Sequence, residues 1–510
     1  MLVQDFLQNS AKRFPGKTAL ICDGQRLTYA EIEARANRLA HALVAHGVQQ
    51  ADRVVIYLPN SIETVVAIFG ILKAGGTFVV VNHTTKQDKL TYILNNCQAT
   101  ALFTSDRNAH LAAKISAAVP SLKLVVLSGK KTAAAAAESD EFYAFDELLA
   151  TSSHTRPACP SIDQDLACLI YTSGSTGDPK GVMSGHNNVV FASASIIQYL
   201  ENTSSDIVIN VLPLSFDYGL YQLLMTFRFG GTLVLEKSFA YPAAILKKME
   251  TERVTGFPGV PTIFAILLQM DLSPYDLSSL RYITNTAAAL PPSHILELGQ
   301  KFTWARLYSM YGLTECKRTL YLPPDQLKVR PGSVGIAIPG TEVWIEDEKG
   351  NRVGPGVVGE LVIRGSHVMR GYWQNPKATT KCYRPGPTPG ERILYSGDLF
   401  KMDQEGYLYF VARKDDIIKS RGEKVSPKEV ENVLYGIEGI VEAVVIGVPD
   451  PILGQAIKAF VVLDSVEMTE RDILRHCRAH LEDLMVPQHV EIRDDLPKTS
   501  SGKIKRTGLS

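Results

Sequence analysis

The sequence predicts an α/β protein: a large N-terminal lobe of doubly wound sheets plus a small β-barrel-like layer, followed by a small α+β C-terminal domain. Three observations carry this expectation. Apolar strand-like runs alternate with helical patterns as far as Gly312. From Gly332 to Val411 the pattern changes to short β-rich pieces punctuated by Gly, Pro and Asp. Beyond Arg413, helices and strands mix again over a stretch large enough for a domain of its own. The expected division is residues 1–414 and 415–510.

The opening MLVQDFLQNSAKRF sets Leu2, Phe6, Leu7 and Phe14 on one side of a helix, and Asp5, Gln8 and Asn9 interrupt any signal-like apolar core. A helical pattern over Tyr29 to Ala45 is followed by the apolar run RVVIYLP, a second helix through Leu72 and the run TFVVV. Such βα alternation implies a parallel sheet covered by helices. The cycle recurs at ALFTS, KLVVLS, DIVINVLP, GGTLVLE, SLRYITN and ARLYSMYG. Between them, Gly129 to Glu141 is small and polar and reads as an exposed connector. The barrel-like layer is expected from EVWIED, GELVIRG and GYLYFVA. The last domain is expected from helices at Pro427 to Leu434 and Glu470 to Leu484, with strands at Ala443 to Val448 and Ala456 to Leu463.

Composition narrows the function. With 45% hydrophobic and 21% charged residues over 510 positions, the chain has the make-up of a soluble globular protein. Its 53 basic and 53 acidic residues leave no net field to draw nucleic acid or an anionic membrane. Apolar stretches are broken by polar residues or glycines well before the ~18 residues of a membrane span. The seven cysteines are scattered without CxxC or Cys/His spacing, which disfavours disulfides and zinc and fits a reducing cytoplasm.

The strongest local signal is YTSGSTGDPKGV, Tyr171 to Val182, directly after the apolar strand LACLI. Glycines let backbone amides approach an anion closely, Thr172, Ser173, Ser175 and Thr176 supply hydroxyl donors, and Lys180 supplies positive charge. A phosphate-wrapping loop follows. It is not a Walker A loop, since Pro179 stands where the second glycine belongs. A random SGSTG would be a flexible turn, but the preceding strand and the PKG ending weigh against that.

This loop resembles the phosphate-binding signature of the adenylate-forming superfamily, which comprises acyl-CoA synthetases, peptide-synthetase adenylation domains and luciferases. Further motifs occur in the family's order over nearly the whole chain: LTYAEI, LKAGGTFVVVN, YGLTE, GELVIRG, YSGD, GYLYFVARKDDIIKSRGEKVSP and PKTSSGKIKR. The resemblance implies ATP and Mg²⁺ as cofactors and assigns roles residue by residue. Residues 1–414 would form the adenylation core, and 415–510 a mobile domain carrying the catalytic lysine. Thr172, Ser173, Gly174, Ser175, Thr176, Gly177 and Lys180 would hold phosphates. Glu315 would hold the metal, Thr314 would touch the α-phosphate, and Tyr311 with Gly312 would meet adenine. Asp398 and Arg413 would bind ribose, and Lys503 would bridge the substrate carboxylate and the nucleotide. Asp415 matches the hinge, and Gly422 would leave room for a pantetheine thiol.

The acyl pocket implied by the resemblance comprises Asp217, Tyr218, Tyr221, Pro258, Ile283, Asn285, Met310, Arg318 and Thr319. Asp217 suits the α-ammonium of an amino acid. Arg318 suits either an ion pair with Asp217 or an acidic or polar substrate tail, and the two roles stand level because buried charges are generally paired. Cys316, beside Glu315, lacks any nearby activating pattern and reads as a packing residue. The implied reaction is adenylation of a small carboxylic or amino acid, followed by thioester formation on the phosphopantetheine of coenzyme A or of a separate carrier protein. In wording the chain is similar to stand-alone ligases of biosynthetic clusters, including prolyl-type carrier-protein ligases. Luciferase-like oxidation of the adenylate is a remote alternative that light emission would expose. A silent nucleotide-binding protein should have lost Lys180, Glu315, Asp398 or Lys503, and all four are present.

Overall fold

The computed structural model describes residues 1–129, 142–172, 178–286, 290–420, 423–450, 453–464, 468–499, 503–506 and 508–509. Most of the Gly129 to Glu141 connector, Ser173 to Gly177 of the phosphate loop, and Gly422 lie outside the described residues.

Two large sheets form the N-terminal lobe, each with a parallel centre; the first has an antiparallel pair at one edge and the second at both. The first runs Phe142–Ala144, Leu124–Ser128, Ala99–Ser105, Arg53–Tyr57, Thr77–Val80, Leu166–Thr172 and Lys180–Gly185. The second runs Ile336–Ala337, Leu320–Tyr321, Arg306–Tyr311, Tyr282–Asn285, Gly256–Gly259, Ile207–Asn210, Thr232–Leu235, Thr18–Cys22 and Gln25–Thr28. Strands such as Thr77–Val80 and Thr232–Leu235 are buried along their whole length because helices cover both faces, so their sequences read as unbroken apolar runs. The Tyr29–Ala45 helix begins at a capping box in which Thr28 and Glu31 satisfy each other's backbone amides, and it buries Ile32, Ala36, Leu39, Ala40 and Leu43 at helical spacing. Each of the larger side chains contributes about 1.5–3 kcal/mol by leaving water.

The β-rich layer is an antiparallel five-stranded sheet of Glu342–Glu346, Gly359–Arg364, Tyr383–Pro385, Arg392–Met402 and Leu408–Arg413. Its last strand leads through an exposed turn containing Asp415 to the C-terminal sheet of Ile418–Ser420, Glu423–Val425, Ile440–Asp450, Gly454–Leu463 and His489–Arg493. The second helix expected there stops at His480 rather than Leu484. Continuing it would place Glu482 and Asp483 in the last turn, against the negative end of the helix dipole.

Acid sensitivity is built into the lobe. His186 and His367 are buried, and burial pushes each imidazole down to about 4. An unfolded histidine titrates near 6.5. Between those values the unfolded chain therefore binds protons that the folded chain refuses, so this stability is fully present above about pH 6.5 and is lost as pH falls toward 4. Each site is worth on the order of 3 kcal/mol at neutral pH. Urea midpoints measured from pH 7 down to pH 4 should fall steeply, and His367→Phe should flatten part of that slope.

Candidate active site

The expected site residues sit at strand ends of the two large sheets and on the β-rich layer. The Arg306–Tyr311 strand runs into the GLTE turn, and the chain returns when the Thr319 amide donates to the Tyr311 carbonyl at 2.9 Å. Nine residues thus close a tight loop around Gly312. A Cβ at Gly312 would stand 1.6 Å from the carbonyl oxygen of Lys317, so only glycine fits between these two passes of backbone. Gly312→Ala should lower the melting temperature by several degrees, consistent with overpacking costs of about 1–3 kcal/mol or more. It should weaken binding of an ATP analogue in the same titration, because the loop carrying Thr314 and Glu315 must open.

Glu315 accepts a 2.6 Å hydrogen bond on Oε1 from the Tyr372 hydroxyl, and its own carbonyl accepts from the Met369 amide at 2.9 Å. The Lys180 ammonium lies 5.7 Å from the centre of the same tyrosine ring. Lys180 and Thr172 face each other across the hairpin that brackets the expected phosphate loop, so both ends of that loop are held by the sheet. Tyr372 thereby joins the acidic turn to the phosphate-loop lysine.

Asp398 is buried and accepts from the Tyr311 hydroxyl at 2.6 Å and from Arg413 Nε at 3.2 Å. Burial raises its carboxyl above the ordinary aspartate value even though Arg413 and Tyr311 act the other way. Asp398 and Arg413 are cross-strand partners, which is why a residue and its cation 15 positions apart meet.

Lys503 sits on a turn closed by Thr499, whose amide donates to the Lys503 carbonyl at 2.7 Å and whose hydroxyl accepts from the Lys503 amide at 3.1 Å. Just beyond it, Arg506 pairs with Asp416 at 2.7 Å and Glu431 at 2.5 Å, pinning the tail to the C-terminal domain. That domain rests on the lobe where Ser293 donates to the Tyr435 carbonyl at 3.3 Å and the His294 ring meets Tyr435. The protein surrounding Lys503 lowers its ammonium pKa, opposed by the charges of Asp217, Asp398 and Glu315 and reinforced by Arg413. Although solvent still reaches its side chain, Lys503 lies within electrostatic reach of residues from all three parts of the cleft.

The residues expected to line the acyl pocket come from the carboxyl ends of adjacent parallel strands and from the helix Asp217–Phe229, the usual position of a ligand in an open α/β sheet. The Tyr218 hydroxyl meets Thr284 Oγ1 at 2.6 Å, which puts Pro258, Thr284 and Tyr308 on the face that packs against this helix. Met310 follows on the same face, and its sulfur accepts from the Tyr199 hydroxyl at 2.9 Å. Strand alternation turns Ile283 to the opposite face with Phe257 and Leu307, and Asn285 joins that face with Gly259 and Ser309. Asp217, Tyr218, Tyr221, Arg318 and Thr319 are all buried. No ion pair joins Asp217 to Arg318 among the described residues. Arg318 instead lies over the Tyr218 ring, 4.3 Å from its centre. Cys316 is fully buried against the Thr319 hydroxyl at 2.9 Å, and burial pushes its thiol up to about 12, so it packs and does not attack.

Among the described residues no group of three or more His, Cys, Asp or Glu forms a metal cage. The donor set suits Mg²⁺ arriving with a nucleotide, since that ion is commonly held by one or two carboxylates plus phosphates, and Glu315 has one oxygen not taken by Tyr372.

Two family matches cover this architecture: AMP-binding enzyme over residues 7–373 and AMP-binding enzyme C-terminal domain over residues 429–503. The chain belongs to the AMP-binding enzyme family. Relatives of this AMP-binding enzyme include a long-chain-fatty-acid–CoA ligase of Bacillus subtilis (strain 168), 34% identical over 99% of this chain and 94% of the relative. A feruloyl-CoA synthase of an Amycolatopsis species is 35% identical over 97% of this chain and 95% of its own. Among solved structures, the anthranilate CoA ligase AuaEII in complex with anthranoyl-AMP superposes with a TM-score of 0.91 at 28% identity, covering 99% of this chain and 95% of that one. ATP-bound MatB from Rhodopseudomonas palustris gives 0.88 at 28% identity, covering 99% and 97%. The superfamily and fold expected from the motifs are therefore those of this AMP-binding enzyme. No helix among the described residues is long and apolar enough to cross a membrane.

Three residues of the cleft escape a reading of the sequence. Tyr372 meets Glu315 across 57 positions, and nothing in its RGYWQ setting announces the partner. Thr284 is hidden in a strand, and Lys317 looks like an ordinary turn lysine beside Arg318. A lysine next to a pocket arginine was the available signal.

Proposed function

We propose that this AMP-binding enzyme converts a carboxylic acid and ATP to an acyl-AMP and pyrophosphate, and then transfers the acyl group to the thiol of coenzyme A. The observation that carries the reading is the position of Lys503, on the C-terminal domain, within electrostatic reach of Asp217 at the acyl pocket and of Asp398 and Glu315 at the nucleotide side. An ammonium so held can bind the substrate carboxylate and the α-phosphate together. A carboxylate oxygen attacks the α-phosphorus, the α–β bridge breaks, and pyrophosphate leaves. Thr314 and Lys180 supply donors and charge to the phosphates, and Asp398 with Arg413 fixes the ribose. Bound Mg²⁺, held by Glu315, would neutralise phosphate charge as it spreads in the transition state.

In the second step the thiol sulfur attacks the acyl carbonyl carbon, the bond to AMP breaks, and the thiol proton passes to solvent or base. We assign residues 415–510 to a separate unit that turns about Asp415 between the steps, exchanging Lys503 for a face that admits the pantetheine arm. Coenzyme A is preferred as acceptor because the relatives above are named as CoA ligases or a CoA synthase.

The test follows pyrophosphate and AMP release with ATP, Mg²⁺ and an acid panel, adding either coenzyme A or a phosphopantetheinylated carrier protein. Acid-dependent pyrophosphate release followed by coenzyme A-dependent AMP and thioester supports the reading. Thioester formed only on the carrier protein would replace the acceptor, and pyrophosphate release indifferent to any acid would sink the ligase assignment.

A further inference from the structure

Beside the expected acyl pocket lie two buried cations, Arg318 and Lys317, with no ion-pair partner among the described residues. Arg318 is 3% exposed, and its Nε and Nη2 meet no acceptor. Lys317 is 1% exposed, its ammonium also meets none, and it lies 5.7 Å from the centre of the Tyr221 ring. The Tyr221 hydroxyl beside them is likewise unpartnered. Ring faces meet part of the need: Arg318 covers Tyr218, and its charge also reaches Tyr199 and Tyr221. A ring face cannot accept the in-plane N–H groups at the guanidinium edge, so the hydrogen-bonding cost of burial stays unmet.

Asp217 does not close this account. It forms no ion pair with either cation among the described residues, and its charge acts on Lys503. Among the described residues, the Lys317 ammonium and the Arg318 Nε and Nη2 are therefore left without an acceptor. Lys317 moreover holds a left-handed backbone, φ 60°, which a residue with a side chain adopts at a cost. Removing one partner of a buried ion pair is strongly destabilising, and a pocket that carries such a deficit permanently is matched to a ligand that removes it.

We propose that the acid activated by this enzyme carries a second anionic group, as a dicarboxylic acid does: one carboxylate reacts beside Lys503 while the other is bound by Arg318 and Lys317. This rests on the acid-activating reading above and deepens it by naming the substrate class. Guanidinium suits the task because its planar fork takes a carboxylate through two parallel bonds.

Matched pairs of acids decide the matter: glutarate against valerate, adipate against hexanoate, phthalate against benzoate, each in ATP- and Mg²⁺-dependent pyrophosphate release. The wild type should favour the diacid in at least one pair by on the order of 100-fold or more in kcat/KM, because a pocket of buried donors rejects a ligand that leaves them unpaired. Arg318→Met should lose that preference and turn toward the monoacid, and Lys317→Met should do so in part. Melting temperature without ligand gives an independent readout: Arg318→Met should be at least as stable as the wild type, since an unpartnered charge has been removed. A wild type that favours the monoacid in every pair, or an Arg318→Met variant that keeps the diacid preference, would overturn the inference while leaving the ligase reading intact. Failure to release pyrophosphate with any acid, in the presence of bound ATP, would remove both.

Discussion

Replacing Lys503 with alanine is expected to cut ATP- and acid-dependent pyrophosphate release by on the order of 10²–10³-fold, the scale seen when one donor to a developing charge is removed. Consumption of a chemically prepared acyl-AMP by coenzyme A should fall far less, because the proposed rotation takes Lys503 out of the cleft before the thiol step. The split between the half-reactions is the diagnostic: equal losses in both would mean that the variant damages the fold or the cleft as a whole. A pH profile gives a second reading. The surrounding protein lowers the Lys503 pKa and Asp217 opposes that. The ammonium is the active form, so the adenylation rate should fall as pH rises through this lowered value. Asp217→Asn removes a raising influence and should move that alkaline limb to lower pH. An unmoved limb would place the titrating group elsewhere.

Glu315→Gln is expected to have an effect of similar size on the first half-reaction, about 10²–10³-fold, together with a higher Mg²⁺ concentration for half-maximal rate. The substitution keeps the hydrogen bond from Tyr372, which donates to Oε1 at 2.6 Å, and removes only the charge. Tyr372→Phe does the reverse, leaving the charge and releasing its orientation. Loss of such a supporting partner typically costs 10- to 100-fold, so Tyr372→Phe should fall between the wild type and Glu315→Gln and should shift the same Mg²⁺ titration in the same direction. A Tyr372→Phe enzyme with unaltered metal dependence would show that the bond positions nothing.

The turns expected at the nucleotide side were more legible in the sequence than the lining expected at the acyl side. Turns such as YGLTE and YSGD are dictated by local backbone demands that a short motif records: Gly312 stands where a Cβ would strike Lys317, and Gly397 holds a left-handed φ of 72° immediately before Asp398. The acyl pocket is drawn from the Asp217–Phe229 helix, three strand ends and a return loop, so its lining depends on which face each strand presents. Ile283 and Thr284 are neighbours in sequence, yet they face opposite sides of the sheet, and only the register shows that Thr284 is the one reaching Tyr218. The choice between an Asp217–Arg318 pair and a ligand role for Arg318 was level on residue types alone; the structure separates the two side chains and sets the guanidinium on Tyr218 instead.

Residue order alone was enough for the superfamily and the succession of helices and strands. Those follow from local periodicity, turn chemistry and motif spacing, all written within a few residues of each other. Only the fold brings the Tyr372 hydroxyl to Glu315 and buries Lys317 and Arg318 with no acceptor for the Lys317 ammonium or the Arg318 Nε and Nη2 among the described residues. Each of those is a meeting of residues distant in the chain or a balance of burial against pairing. Sequence records which charged groups exist, whereas only packing fixes which of them lose water and what they find in exchange.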